Sequence, residues 1–351
     1  MNERQNYLHT VKFGRPQWIP AKISVNYSSL ISFKGEMESV MLKFPEFFSK
    51  KYDLGHIDYT QYGDGTRSKI ETDSWGCTWH HTIYGMEGCV IHHPLENWAA
   101  FQSYDVPDPN LFYDRGGRRD WEEEYAKIKL KKKKDELTFG SLVHGFLFLR
   151  LQYLRGFENL MVDMALEEPL LEELIRKIDE HNLKIIENYC KAGVDIMELP
   201  EDLGAEKSMI ISKNMFRKYI KPSYKKMIEP CKKHGLLTCI HSDGYILDIL
   251  DDLIDIGIDI INPQDLCNGI DNLARILKGR VCIKLDIDRV KVTPNGTRNE
   301  IFELIEEEVK ALGSKNGGLE FIYGVYPPTP PDNVAYVCEA LRKYRTYWWD
   351  K

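Results

Sequence analysis

The sequence predicts a (β/α)8 TIM barrel, an α/β fold of eight parallel strands alternating with helices. Three observations predict it. In the second half, short apolar runs alternate with amphipathic helical patterns. The runs are continuously apolar, as parallel strands buried on both faces require. Three further strand candidates in the first half bring the count to eight, the number that closes a barrel. No Gly-x-Gly-x-x-Gly turn follows an early strand, which argues against the rival doubly wound open sheet.

The elements follow in order. "AKISVNYS" (21–28) is the first strand and precedes a helix that ends before Pro45. "GHIDYTQYG" (55–63) is the second. A long insertion, at about 64–135, separates it from the third. The insertion contains a hairpin, "CTWHHTIYGMEGCVIHHPL" (77–95), with Gly85 and Gly88 near its turn, and a helix in "RDWEEEYAKIK" (119–129). "TFGSLVHG" (138–145) is the third strand. "VDIMELPE", "LLTCIHSD", "IDIINPQD", "VCIKLDID" and "GLEFIYGV" start at Val194, Leu236, Ile258, Val281 and Gly318 and complete the set. Ile246, Ile249, Leu250, Leu253 and Gly257 follow helical spacing between two of these runs. Val334, Val337, Cys338 and Leu341 repeat it in the last helix. One barrel domain is expected to span 1–351.

Composition narrows the function. The chain has 351 residues, 43% hydrophobic and 29% charged, with a net charge of −7. That balance gives no reason to expect nucleic acid or an anionic membrane surface. The basic run "KIKLKKKKDEL" at 127–137 continues the acidic helix before it and reads as a solvated helix face. No stretch approaches the roughly 18 apolar residues of a membrane span. The N-terminus is polar and unlike a signal peptide. Eight scattered cysteines with no Cys-x-x-Cys pair suit a reducing cytoplasm.

The active site of such a barrel lies at the C-terminal ends of the strands. Those ends carry an acid- and tyrosine-rich rim that includes His144, Glu201, Asp202, His241, Asp243, Asn262, Asp265 and Tyr323. His241 and Asp243, two apart in an extended run, point the same way, and Gly244 then lets the backbone turn. The pair suits half of a metal site, a substrate or catalytic role, or a histidine held by its neighbour. "ELPEDLGAE" (198–206) places three acids after the fourth strand. They read equally as metal or base carboxylates and as acids favouring a helix N-terminus. The histidines of the hairpin alternate in facing, so each adjacent pair offers at most one inward ligand, and they read as hairpin surface. Trp75, Trp79 and Tyr84 line either a pocket for a flat substrate or a core.

Five motifs then occur in order: "TDSWGCTW" (72–79), "EDLG" (201–204), "HSDG" (241–244), "NPQD" (262–265) and "YGVYPPTPPDN" (323–333). Together, over roughly 20–345, they resemble the uroporphyrinogen decarboxylase superfamily, whose fold is a (β/α)8 barrel. The superfamily holds true decarboxylases and corrinoid-dependent methyltransferases, among them coenzyme M methyltransferases and methoxyarene O-demethylases. The decarboxylases carry an N-terminal Arg-Gln-Ala-Gly-Arg-Tyr segment, and this chain has "RPQWIPAKISVNYSS" there. The coenzyme M enzymes bind zinc with His-x-Cys and a later Cys. Here His241 is kept, Asp243 replaces the first Cys and Tyr323 stands at the later one.

The resemblance therefore implies a harder site of zinc with His241, Glu201 and Asp243, suited to oxygen ligands. It implies methyl transfer from an O-methyl donor, such as a methoxylated aromatic, to the cobalt of a separate corrinoid protein. In that reading Tyr323 or Asp202 supplies a proton. Trp75, Trp79, Tyr84, His144, Asn262 and Asp265 bind substrate. A homodimer is compatible with it. The alternatives are a decarboxylase or other lyase acting on a small or porphyrin-like acid, and a non-catalytic barrel.

Overall fold

The computed structural model describes residues 1–48 and 52–349. Ten strands form among them: β1 (Ala21–Val25), β2 (Thr66–Thr72), β3 (Thr78–Ile83), β4 (Cys89–His92), β5 (Phe139–Ser141), β6 (Ile196–Asp202), β7 (Leu237–Asp243), β8 (Ile260–Pro263), β9 (Cys282–Asp286) and β10 (Leu319–Val325). Seven make a parallel sheet in the order β1-β10-β9-β8-β7-β6-β5, and β2-β3-β4 make a second sheet. The helices used below are α1 (Glu3–Val11), α2 (Phe148–Arg155), α3 (Pro169–Ala192), α4 (Lys221–Lys233), α5 (Arg298–Leu312) and α6 (Pro331–Tyr344). The fold is the TIM-barrel type of α/β protein that the alternation predicts.

Seven of the eight expected strands are found where the apolar runs lie. The exception is 55–63. Its residues Tyr59–Tyr62 form a single tight turn, with the Asp58 carboxylate accepting the Thr60 N–H at 3.0 Å and the Thr60 hydroxyl at 2.6 Å. A short aspartate bonds its own backbone two residues on and so draws the chain out of extended geometry. The backbone beside β1 comes from earlier in the chain: Phe48 makes an isolated parallel bridge with Ile23, whose N–H donates to the Phe47 carbonyl at 2.8 Å.

Contacts divide the described chain into two units. The first comprises Met1–Lys69, His81–Gly88 and Asn262–Lys351. There β1 pairs with β10 from Ala21↔Phe321 to Val25↔Val325, and β10 with β9 from Leu319↔Ile283 to Ile322↔Asp286. Helices α5 and α6 bury their apolar stripes, with Ile301, Ile305, Val334, Val337 and Leu341 inaccessible or nearly so. The N-terminus is fixed by α1, whose capping box joins Asn2 and Gln5. Its Tyr7 hydroxyl donates to Glu320 at 2.7 Å.

The second unit comprises Ile70–His80 and Cys89–Ile261. Strands β3 and β4 pair antiparallel, with Trp79 opposite Val90 and His80 opposite Cys89. Strand β6 pairs in parallel with β5 and, from Ile196↔Leu237 to Asp202↔Asp243, with β7. Helix α3 starts with Pro169 at its first position and ends at a left-handed Gly193 (φ +64°). Two matching clamps set the strand starts. The Asp195 carboxylate accepts the N–H and the hydroxyl of Thr138, each at 2.9 Å. The Asp259 carboxylate accepts the N–H of Thr238 at 2.7 Å and its hydroxyl at 2.9 Å. No helix among the described residues is long and apolar enough to cross a membrane.

Candidate metal and catalytic site

The tips of β6 and β7 lie side by side, Pro200 against His241, Glu201 against Ser242 and Asp202 against Asp243. Side chains alternate along a strand, so Asp202, His241 and Asp243 share one face while Glu201 and Ser242 share the other. The Asp202 carboxylate accepts the Asp243 N–H at 3.0 Å, which ties the two tips together. His144 joins from the loop after β5. That loop is held to β6 by the Leu142 N–H on Glu198 O (3.1 Å) and the Gly145 N–H on Pro200 O (2.9 Å).

The resulting cluster is compact. His144 Nε2 lies 3.2 Å from Asp202 Oδ2. His241 Nε2 lies 3.8 Å from Asp202 Oδ1 and 3.3 Å from Asp243 Oδ1. The four side chains are 22% to 38% exposed, so a ligand can reach them. Ligating atoms of His144, Asp202 and His241 all fall within 4.8 Å of one another. Tetrahedral zinc with bonds near 2.1 Å places its ligands about 3.4 Å apart. The spacings here bracket that value, and two imidazoles with carboxylates suit zinc or another borderline first-row ion.

Two glycines set this geometry. A Cβ on Gly204 would stand 2.5 Å from the Gly244 carbonyl carbon, and one on Gly244 would stand 2.3 Å from the Gly204 carbonyl carbon. Gly244 also has φ +78°. The crossing is closed by Gly204 N–H on Asp243 O (3.2 Å), Tyr245 N–H on Ala205 O (2.8 Å) and Leu203 N–H on Ser242 Oγ (2.8 Å). The last residues of "EDLG" and "HSDG" are therefore glycine because the two backbones touch.

The structure places several of the sequence-predicted site residues elsewhere than expected. Glu201 is not beside His241. It is fully buried and accepts the N–H groups of Leu147, Phe148 and Leu149 at 3.1, 2.7 and 3.2 Å, capping the N-terminus of α2. Burial pushes its carboxyl up to about 7 against the pull of those donors. Asp202, expected to move protons, and His144, expected to hold substrate, take the central places instead.

Tyr323 does not open onto a mouth. It is completely buried in the first unit, its hydroxyl among Thr293, Thr329 and Cys338, and burial pushes its pKa up to about 12. In the same unit Asn262 donates to the Lys284 carbonyl, and the Asp265 carboxylate accepts the Asp288 N–H at 2.8 Å. Tyr84 packs edge-on against Tyr62, with ring centroids 4.9 Å apart.

Trp75 and Trp79 are each only 2% exposed. Their indole N–H groups donate to Asp114 (2.7 Å) and Asp73 (2.9 Å). Those two carboxylates face the fully buried Arg150, whose guanidinium lies 3.3 Å from Asp73 and 3.8 Å from Asp114. His181 Nε2 adds a contact to Asp114 at 3.1 Å. Sequence reasoning passed over this buried ion network, although the one arginine inside the apolar run "FLFLRLQYL" was its visible signal.

A family model described as uroporphyrinogen decarboxylase (URO-D) matches residues 72–344. The uroporphyrinogen decarboxylase of Thermus thermophilus is 26% identical over 198 residues, which is 54% of this chain and 53% of that protein. The enzyme of the same name from Rickettsia bellii is 23% identical over 179 residues, 50% of each chain. The chain thus spans about half the length of the curated relatives it matches. Among solved structures, a methyltransferase from Methanosarcina mazei superposes over 97% of this chain and 98% of its own, with a TM-score of 0.63 at 17% identity. That likeness is one of fold.

Proposed function

Because the chain belongs to the uroporphyrinogen decarboxylase (URO-D) family, we propose that it is a corrinoid-dependent methyltransferase of that family. In this reading it moves a methyl group from an O-methyl donor to the cobalt of a separate corrinoid protein. A methoxylated aromatic is the first donor class to test. The observation that carries the reading is the cluster of His144, Asp202, His241 and Asp243, a donor set of imidazoles and carboxylates with no thiolate. Such a set favours an oxygen-bearing substrate over activation of a thiol.

His144, Asp202 and His241 would hold zinc, with Asp243 beside His241. The metal would supply Lewis acidity toward the ether oxygen, which must accept the electron pair of the broken C–O bond. The chain's own residues fix the rest. Asp202 faces the Nε2 atoms of both imidazoles as the shared carboxylate, and its bond to the Asp243 N–H keeps the tips of β6 and β7 in register. Asp243 is the most exposed of the four and is the group through which a proton reaches the departing oxygen. Tyr323 is enclosed and takes no part.

A second reading has support in the names of the curated relatives: decarboxylation of a carboxylated substrate on the same rim. One experiment separates the two. The purified chain is titrated with zinc by calorimetry, then assayed with reduced cobalamin and a panel of methoxylated aromatics. The methyltransferase reading expects about one zinc per chain, lost in His241→Ala together with demethylation. No zinc uptake, with release of carbon dioxide from a carboxylated substrate, would establish the decarboxylase.

A further inference from the structure

We propose that Tyr27, Tyr62, Tyr84 and Arg67 form a binding site for a planar aromatic carboxylate at the C-terminal end of β1. The arene lies against the tyrosine rings, and its carboxylate pairs with the Arg67 guanidinium. The proposal stands apart from the methyl-transfer reading and uses none of the residues assigned to zinc.

Four separate segments of the first unit meet here. Tyr27 begins the helix that follows β1 (Tyr27–Phe33), and Tyr62 ends the tight turn at Tyr59–Tyr62. Arg67 lies in β2, and Tyr84 follows the last residue of β3. The ring centroids of Tyr27 and Tyr62 are 6.0 Å apart, and those of Tyr62 and Tyr84 are 4.9 Å apart. The meeting is fixed by polar bonds and close packing. The Asn26 amide donates to the Gly85 carbonyl at 2.7 Å, while its oxygen accepts the N–H and hydroxyl of Ser28 at 2.8 and 2.7 Å. The Tyr84 N–H donates to the Gly65 carbonyl at 2.9 Å. A Cβ on Gly85 would stand 2.8 Å from both Asn26 Oδ1 and Tyr27 Cβ, so only glycine lets the hairpin tip approach this closely. Tyr52, its hydroxyl bonded to the Val25 carbonyl at 2.6 Å, backs the Tyr27 ring edge-on.

This built cluster leaves its polar groups unspent. Tyr27 is 43% exposed, and Tyr62 and Tyr84 are half-buried. None of the three hydroxyls has a hydrogen-bond partner among the described residues. Arg67 is half-buried with its guanidinium 5.2 Å from the Tyr84 ring centre, and it has no ion pair or hydrogen bond among the described residues. The acids before it in sequence are turned onto their own backbone. Asp58 accepts the Thr60 N–H and hydroxyl, and Asp64 accepts the Thr66 N–H at 2.9 Å and hydroxyl at 2.6 Å.

These features select the ligand. Tyrosine rings alone would suit a cation, but Arg67 already supplies one over Tyr84, so a second is repelled and an anion is drawn in. The planar guanidinium fork matches a carboxylate through two parallel N–H bonds. Tyrosine faces and edges offer stacked or edge-on contact to a flat ring, and the free hydroxyls offer donors to its substituents. An arene with a carboxylate uses all three.

The test titrates the full chain by calorimetry with no zinc added. The probe is 4-methoxybenzoate. One control is methoxybenzene, which keeps the ring and loses the carboxylate. The other is cyclohexanecarboxylate, which keeps the charge and loses the aromatic face. The probe should bind with a Kd of about 1 mM or tighter, and each control at least about tenfold more weakly. Arg67→Met should weaken the probe about tenfold or more, and Arg67→Lys, which keeps the charge and loses the fork, should fall between. Tyr27→Ala should weaken it by a similar factor while Tm stays within about 2 °C of the parent, since the ring lies at the surface. Should Arg67→Met not fold, Arg67→Lys and Tyr27→Ala decide. No binding at about 10 mM probe would overturn the proposal. So would parent-strength binding in the folded variants, and equal binding of cyclohexanecarboxylate would overturn the aromatic assignment. None of these outcomes depends on whether methyl transfer is observed.

Discussion

Glu201 and Asp202 are neighbours in β6, yet their carboxylates serve opposite faces of the strand. One caps α2 through three backbone N–H groups, and the other sits between two histidines. The alternation of a strand enforces this split and makes the pair a control for each other.

Asp202→Asn should weaken zinc binding on the order of tenfold to a hundredfold, since it removes the anionic ligand that faces both imidazoles. His144→Ala should do the same. Calorimetric titration of the purified variants checks this. Asp202→Asn binding zinc as tightly as the parent would remove the carboxylate from the ligand set.

Glu201→Ala should act on stability. It strands three buried N–H groups at the start of α2, and the loss should reach about 3 kcal/mol or more in urea unfolding. Glu201→Gln restores one acceptor and should recover part of the loss. Each variant, once folded, should keep the parent's zinc stoichiometry.

Gly204→Ala and Gly244→Ala should each fail to accommodate the new methyl group, because the atoms in the way are backbone. Gly244→Ala adds strain at φ +78°. The expected result is a loss of about 2 kcal/mol or more in stability together with weaker zinc binding. Tight binding in either variant would show that the tips do not need this crossing.

Asp114 gives a pH signature. Burial alone would raise its carboxyl, but the His181 contact, Arg150 and the Trp75 N–H hold it well below its ordinary 3.8. A carboxyl depressed in the folded state binds fewer protons there than when unfolded. Its stabilisation is therefore present above 3.8 and is lost as the pH falls below that value. Asp114→Asn should lower stability at neutral pH by about 3 kcal/mol, because Arg150 and Arg119, each 3.8 Å from its carboxylate, lose a buried counter-ion. It should also flatten the acid limb between about pH 4 and about pH 2. An unchanged acid limb in thermal unfolding would assign the acid transition to other carboxylates.

Tyr323→Phe should leave turnover within about threefold of the parent, since a completely buried hydroxyl among threonines touches no substrate. A loss of a hundredfold or more, with Tm unchanged, would return the phenol to catalysis.

The fold was legible because periodicity is a local signal. Seven apolar runs became strands within four residues of their expected limits. The segment at 55–63 failed because Asp58 closes a turn on its own backbone, while the bridge at Phe48 lies in an aromatic cluster that does not alternate. The candidate cluster was legible as residues at strand ends and not as a set of neighbours. The facing of Glu201 against Asp202 depends on which parity of β6 points outward, and the motif "EDLG" does not state it. His144 meets Asp202 only through the parallel register of β5 on β6. The burial of Trp75 and Trp79 follows from Arg150, a long-range partner that no spacing rule reveals.

The Thr138–Asp195 and Thr238–Asp259 clamps bear on how such a protein can change over generations. Both hold the strands at the ends where they begin, so the alignment of β5, β6 and β7 is established before the chain reaches the tips that carry Asp202 and His241. A substitution at Asp243 or His144 therefore exchanges one donor atom for another without sliding a strand past its neighbour. In this architecture chemical novelty is decoupled from folding risk. Imidazole, carboxylate and thiolate become interchangeable heads on a fixed frame, open to selection or to an engineer working one position at a time.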